Sequence, residues 1–119
     1  MSNDANTIWE TYASAWKETD PDRRRALFAA SLDPNCRYRD PLATTEGFDA
    51  LGAYMDQFQQ QIPGGHFVTQ RYWHHDGRSA AVWEMRSGDG AKLDEGVSFG
   101  EYNADGKLVA MTGFYDPPA

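Results

Sequence analysis

Residues 51–73 read LGAYMDQFQQQIPGGHFVTQRYW, and the break inside this stretch decides the fold. Before the break, Leu51, Tyr54, Met55, Phe58 and Ile62 recur at three- and four-residue spacing, the stripe of a helix resting on a core. Pro63-Gly64-Gly65 then stops the helix, because proline cannot continue it and glycine accepts turn geometry. From His66 onward the period drops to two. The spacing predicts a helix near 46–61 and four strands near 66–73, 78–87, 92–102 and 107–115. Their connectors, His75-Asp76-Gly77, Gly88-Asp89-Gly90 and Asn103-Ala104-Asp105-Gly106, supply the Gly, Asn and Asp that hairpin turns demand.

Upstream, Thr7-Ile8-Trp9-Glu10 reads as a capping box, followed by a helical face of Ile8, Tyr12, Ala15 and Trp16. Asp20-Pro21 closes that helix and opens a second over about 21–31, with Asp as cap and Pro at the first helical position. Its inward residues are expected to be Ala26, Leu27 and Ala30. Asp33-Pro34-Asn35 is a turn. Cys36 to Asp40 then alternates as a short strand, with Cys36, Tyr38 and Asp40 on one face, until Pro41 ends it. A loop through Thr44 and Thr45 leads to the third helix. Helices first and hairpins last imply one α+β domain over 1–119, three N-terminal helices packed on a curved antiparallel sheet. Gly96, Gly100 and Gly113 lie inside strands, which fits a sheet bent around a cavity.

A chain of 119 residues suits a single domain. Its net charge of −7, from 18 acidic and 11 basic residues, opposes binding to phosphate backbones or anionic lipid. Arg23, Arg24 and Arg25 fan around the second helix and read as a solvated face. One cysteine, Cys36, allows no intramolecular disulfide. The first six residues lack a basic-then-apolar leader, and no apolar run approaches the ~20 residues of a membrane span, so the expected location is the cytoplasm. Four Trp, six Tyr and six Phe exceed what a small core absorbs and suggest a cavity wall or an interface.

Asp40 is the sharpest chemical candidate: a carboxylate at a strand end among apolar neighbours is placed to act as a general base. The competing reading has it capping the following loop or pairing with Arg37 or Arg39. Tyr12 and Tyr38 are phenols within reach of the same strand end. Trp16, Tyr54 and Phe58 read as core or pocket wall. His74-His75-Asp76 is a poor metal site, because successive strand residues face opposite ways and no partner ligand is spaced to help. Asp94 and Glu95 are adjacent, so one of them faces inward. No dinucleotide or phosphate-binding fingerprint is present, and no cofactor or metal is expected.

Taken in order, two helices, a strand ending in Tyr38-Arg39-Asp40-Pro41, a third helix and four long strands resemble the SnoaL-like branch of the NTF2-like superfamily. The Asn103-to-Leu108 turn before the last strand adds to the likeness. The resemblance implies a cone whose mouth lies between helices and sheet. In the ketosteroid isomerases of that superfamily, the strand-end Asp is the base, and this falls on Asp40. Their first-helix phenol donor falls on Tyr12. Their second donor, an acid kept protonated by apolar surroundings, falls on Ser98. The same alignment puts Trp83, Met85, Met111 and Tyr115 on the inner face beside Trp16, Tyr38, Tyr54 and Phe58. Trp83 fills space and implies a small or flat ligand. The implied activity is a cofactor-independent isomerase or cyclase acting on a small apolar ligand. A non-catalytic binding or sensing domain is the alternative, favoured by Ser98 where the acid would be. The outer face of the sheet is expected to form a homodimer.

Overall fold

Local signals place most of the elements, and the chain order is α1 (Ala5–Ser14), α2 (Pro21–Ser31), β1 (Leu32–Asp40), β2 (Ala43–Glu46), α3 (Gly47–Gln61), β3 (His66–His75), β4 (Arg78–Arg86), β5 (Lys92–Tyr102) and β6 (Leu108–Phe114). This is a computed structural model, and it describes residues 4–117. The leader reading therefore falls partly on Met1–Asn3, outside the described residues. Asp20 caps α2 as expected, its carboxylate accepting from the Arg23 backbone N–H at 2.8 Å. The capping box at Thr7 does not form. The helix starts earlier, with Ile8 N–H bonded to Asp4 C=O at 3.0 Å, so Thr7 already lies in the first turn and turns its hydroxyl toward the Asp4 carboxylate.

Only two of the three helices precede the sheet. β1 and β2 come before α3, because the Thr44-Thr45 segment pairs antiparallel with β1, Tyr38 opposite Thr45 and Asp40 opposite Ala43. β1 also begins earlier than the alternation indicated, at Leu32. It carries Pro34 through an irregularity between Leu32 and Arg37. The six strands run β2-β1-β6-β5-β4-β3. The sheet is not wholly antiparallel: β1 and β6 pair in parallel, with α3 and four strands between them along the chain.

Curvature has two sources. Irregularities interrupt the β3–β4, β4–β5 and β5–β6 ladders, each adding local bend and twist. Glycine supplies the other. A Cβ on Gly96 would stand 2.4 Å from Trp83 Cζ2 and 2.6 Å from the Phe114 carbonyl, so only glycine lets that indole lie across β5. The concave face packs on the helices through Trp9, Phe28, Leu51, Met55, Leu108 and Met111. No described helix is long and apolar enough to cross a membrane.

α2 is rotated relative to its predicted face. Ala26 and Ala30 are exposed, Leu27 is half-buried, and Arg24, Phe28 and Ser31 point inward. The reason is Arg24, which leaves the solvated arginine run and is 3% exposed. Its guanidinium donates to Ala15 C=O at 3.4 Å, to Gly52 C=O at 3.2 Å, to Glu18 C=O and to Asp56 at 2.6 Å. One planar fork thus ties the end of α1 to α2 and α3, through two carbonyls that follow α1 and one inside α3. Arg24→Met keeps the stem but removes every donor, and should cost about 2–4 kcal/mol in urea unfolding. Arg23→Met, at a side chain 77% exposed, should change stability by less than about 0.5 kcal/mol.

Candidate ligand site at the end of the first strand

The site is built around the carboxylate that ends β1. Asp40 Oδ1 accepts from the backbone N–H of Leu42 at 2.8 Å and of Ala43 at 2.9 Å, the turn that leads into β2. Oδ2 accepts from the phenol of Tyr38 at 2.7 Å and from that of Tyr54 at 2.8 Å. Tyr38 comes from the same face of β1 two residues back, and Tyr54 from the inward stripe of α3. Four donors fill the four acceptor positions of the carboxylate. Among the described residues no arginine pairs with it; Arg37 and Arg39 alternate outward and are exposed.

Two hydroxyls in the cone are held by indoles. Trp16 Nε1 donates to the Tyr12 oxygen at 3.2 Å, and Trp83 Nε1 donates to Ser98 Oγ at 2.9 Å. Each hydroxyl therefore accepts a bond, and among the described residues neither proton has an acceptor. Both hydroxyls line an inner hollow of about 50 Å³, with Tyr38, Thr69, Gly113 and Tyr115 in the same wall. Gly113 makes the junction: a Cβ there would lie 3.5 Å from Ser98 Oγ, 3.7 Å from Asp40 Cβ and 3.8 Å from the Tyr38 hydroxyl.

A second, outer hollow of about 330 Å³ opens between α3 and the sheet. Trp16, Phe67, Trp83 and Tyr115 belong to the walls of both spaces. Their rings meet mostly edge to face, Trp16 with Phe67 at 5.6 Å, Phe67 with Trp83 at 5.1 Å, and Trp83 with Tyr115 at 6.0 Å. The outer volume sits at the lower end of the roughly 300–1,000 Å³ usual for small-molecule sites.

Residues 9–111 match the SnoaL-like domain family. The chain belongs to that family. It is 32% identical to a SnoaL-like protein from Agrobacterium tumefaciens described as a candidate isomerase, with a TM-score of 0.86 over 98% of this chain and 100% of that one. A SnoaL-like protein of unknown function from Burkholderia thailandensis, 17% identical, superposes with a TM-score of 0.73 over 95% of both chains. An NTF2-like protein from Cytophaga hutchinsonii, 10% identical, does so with a TM-score of 0.73 over 96% of this chain and 91% of that one. These last two show the shared fold. None of the curated proteins matches the chain.

Within this SnoaL-like cone, Tyr12, Trp16, Tyr38, Trp83, Ser98 and Tyr115 line the inner hollow. Tyr54, Phe58 and Met85 line the outer one. Met111 lies in neither; it is 1% exposed inside the core, opposite Tyr38 in the parallel β1–β6 ladder. The phenols that reach Asp40 are Tyr38 and Tyr54, whereas Tyr12 is engaged with Trp16. Asp94 lines the outer hollow, and Glu95 faces out to Lys92 at 2.6 Å. His74 and His75 are exposed at the tip of β3, and no group of three or more potential metal ligands assembles among the described residues. Phe67, the residue that sequence reasoning missed, has no local signal. β3 shifts register between Thr69 and Arg71, so Phe67 and Thr69 face inward together with Tyr72, and Trp73 turns outward against Arg71.

Burial holds the phenols of the site neutral. Tyr38 is pushed up by desolvation, then by Tyr12 and the charge of Asp40; Tyr54 by desolvation, then by the bond it gives Asp40. Tyr12 is raised by desolvation despite the bond it receives from Trp16. Tyr115 is pushed up to about 12, by burial first and the Asp40 charge second. A phenol raised in the fold keeps its proton where the unfolded chain, titrating near 10, has lost it. The stability these groups contribute is complete below pH 10 and drains away as pH rises toward 12 and beyond. Melting temperatures between pH 8 and pH 12 should hold steady to about pH 10 and then fall, with phenolate absorbance appearing together with unfolding.

Proposed function

We propose that this SnoaL-like chain binds a small, largely apolar ligand in the outer hollow and moves a proton on it without a cofactor. The carrying observation is the Asp40 carboxylate, bonded by Tyr38 of the inner wall and Tyr54 of the outer one, together with two inner-wall hydroxyls whose protons have no acceptor among the described residues. In this reading a carbonyl-type oxygen of the ligand enters the inner hollow and accepts from Tyr12 and Ser98. The bonds those hydroxyls receive from Trp16 and Trp83 hold them in place for it, so they stabilise charge developing on that oxygen without reorganising. Asp40 takes the proton from the adjacent carbon. Because the carboxylate is neutralised as the ligand oxygen becomes negative, the net charge of the site stays constant.

For that transfer one acceptor position of Asp40 must open. Tyr54 is the partner that can release it, since it lies at the mouth in a partly open setting while Tyr38 is 8% exposed. Releasing a hydrogen bond to a carboxylate costs roughly 1.5–3 kcal/mol, an amount the ligand offsets by accepting from the freed phenol. The expected reactions are isomerisation or cyclisation beside a carbonyl. Asp40→Asn should reduce turnover by about 10²–10⁴-fold on a substrate that the wild type converts, with the fold retained in circular dichroism. Full activity in that variant would remove Asp40 from the mechanism.

The four filled acceptor positions favour a second reading, a binding or sensing domain in which Asp40 orients phenols and transforms nothing. Ligand recovered chemically unchanged after long incubation, with an affinity altered only modestly by Asp40→Asn, would establish that reading.

For assembly, we propose a homodimer through the outer face of the sheet. Phe99, 48% exposed, and Phe114, 56% exposed, pack edge to face there at 5.7 Å, with Trp73 on the same face and 44% exposed. Light scattering should give twice the chain mass, and Phe99→Lys should return it to the monomer. A wild-type monomer at high concentration would dismiss this assembly.

A further inference from the structure

The charge balance of the two hollows narrows the ligand class beyond an apolar body. Among the described residues no Lys, Arg or His lines either space. One carboxylate lines them, and a second, Asp40, stands behind Tyr38 and Tyr54 of their walls. Asp94 lines the outer hollow, and among the described residues its carboxylate accepts only from the Glu95 backbone N–H, at 2.8 Å. Lys92, the ammonium nearest along the strand, is engaged by Glu84 at 3.9 Å and Glu95 at 2.6 Å instead. Asp40 accepts only from phenols and backbone N–H groups, so its charge is hydrogen-bonded but meets no cation.

The remaining wall acts with the same sign. Trp16, Tyr54, Phe58, Phe67, Trp83 and Tyr115 line this hollow of about 330 Å³, and an aromatic face carries a negative quadrupole that attracts cations. The rings pack edge to face around Trp16 at 5.6–5.9 Å, while Phe58 and Phe67 stack at 5.2 Å. An anionic ligand would meet the Asp94 carboxylate and no cation among the described lining residues. A neutral ligand would leave the Asp94 charge without a counterion. An organic ammonium matches both, with its charge against Asp94 and its methyl or methylene groups on the ring faces.

We infer that the ligand of this cone is an organic cation, an ammonium group on a small apolar body, with Asp94 as the residue that selects its charge. This rests on the proposal that the outer hollow is a small-molecule site, and adds to it the charge of what enters. Asp94 is here a specificity residue; no chemical step is assigned to it.

The test uses three phenols alike in shape: meta-(trimethylammonio)phenol, its uncharged isostere meta-tert-butylphenol, and the anion meta-hydroxybenzoate. Binding is read by tryptophan fluorescence, since Trp16 and Trp83 stand in the wall, and by amide shifts in nuclear magnetic resonance. The cation should bind about tenfold tighter than the neutral isostere, and the benzoate should not compete. Asp94→Asn should cut the affinity for the cation several-fold and leave that for meta-tert-butylphenol unchanged, which also reports that the variant is folded. Glu95→Gln removes the same charge from the opposite face and should alter neither. Equal or tighter binding of the neutral or anionic probe would overturn the inference while leaving the small-molecule site standing. A preference for the cation that survives Asp94→Asn would overturn the assignment to Asp94. Failure of all three probes to bind would overturn the site itself.

Discussion

A carboxylate half-buried behind an aromatic wall must find donors for its lone pairs, because an unpaired charge drawn out of water costs more than a small domain has to give. Asp40 finds four, and the choice of donors welds three parts of the chain together. The backbone N–H groups of Leu42 and Ala43 set the turn that sends β2 back along β1. The Tyr38 phenol keeps the strand face flat against the core, and the Tyr54 phenol draws α3 onto the strand end. Tyr38 and Tyr54, the two phenols of that joint, are also wall residues of the inner and outer hollows. On the proposed mechanism the reacting carboxylate and the structural joint are the same atoms, so a proton transfer at Asp40 would also loosen a fold contact.

The opposite end of the helical layer is organised by a different charge under the same rule. Arg24 is buried because three backbone carbonyls and a carboxylate receive its protons. Gln59 closes the α3 end similarly, donating to Trp16 C=O at 2.7 Å and Gly65 C=O at 2.8 Å while accepting from the Gly64 N–H at 3.0 Å. These polar groups hold Trp16 from both sides. Trp16 then contacts Tyr38, Tyr54, Phe58 and Phe67 at centroid distances between 5.5 and 5.9 Å, making it the hub of the cavity wall. A chain that looked rich in surplus aromatics uses them as a lining, with the indole N–H groups of Trp16 and Trp83 each spent on a hydroxyl.

Much of this was legible in one dimension. The Pro63-Gly64-Gly65 break and the hairpin connectors located the change from helical to strand period, and all four strands after it begin and end within two residues of where alternation put them. The helix from Pro21 was legible because Asp-Pro carries both a cap and a first-turn residue. Asp40 and its strand mate Tyr38 were found because alternation puts them on one face. Where periodicity was ambiguous, reading failed in physically specific ways. Arg24 was assigned to water because a charge run looks solvated until four acceptors converge on one member of it. Phe67 went unnoticed because the register shift after Thr69 changes which residues of β3 face inward. Tyr54 was seen as wall, not as a partner of Asp40, because a helix–strand hydrogen bond leaves no mark on spacing.

What the residues determined by themselves was the kind of fold: periodicities, caps, turn formers and interior glycines are local properties, and local backbone preferences suffice to express them. Which groups meet was decided only in three dimensions. The parallel pairing of β1 with β6, the phenols chosen by Asp40, the indoles that hold Tyr12 and Ser98, and the absence of a cation around Asp94 among the described residues all join positions far apart in the chain. Such contacts depend on how strands bend and how helices dock, and those are settled by the packing of the whole domain, with no single segment carrying the information.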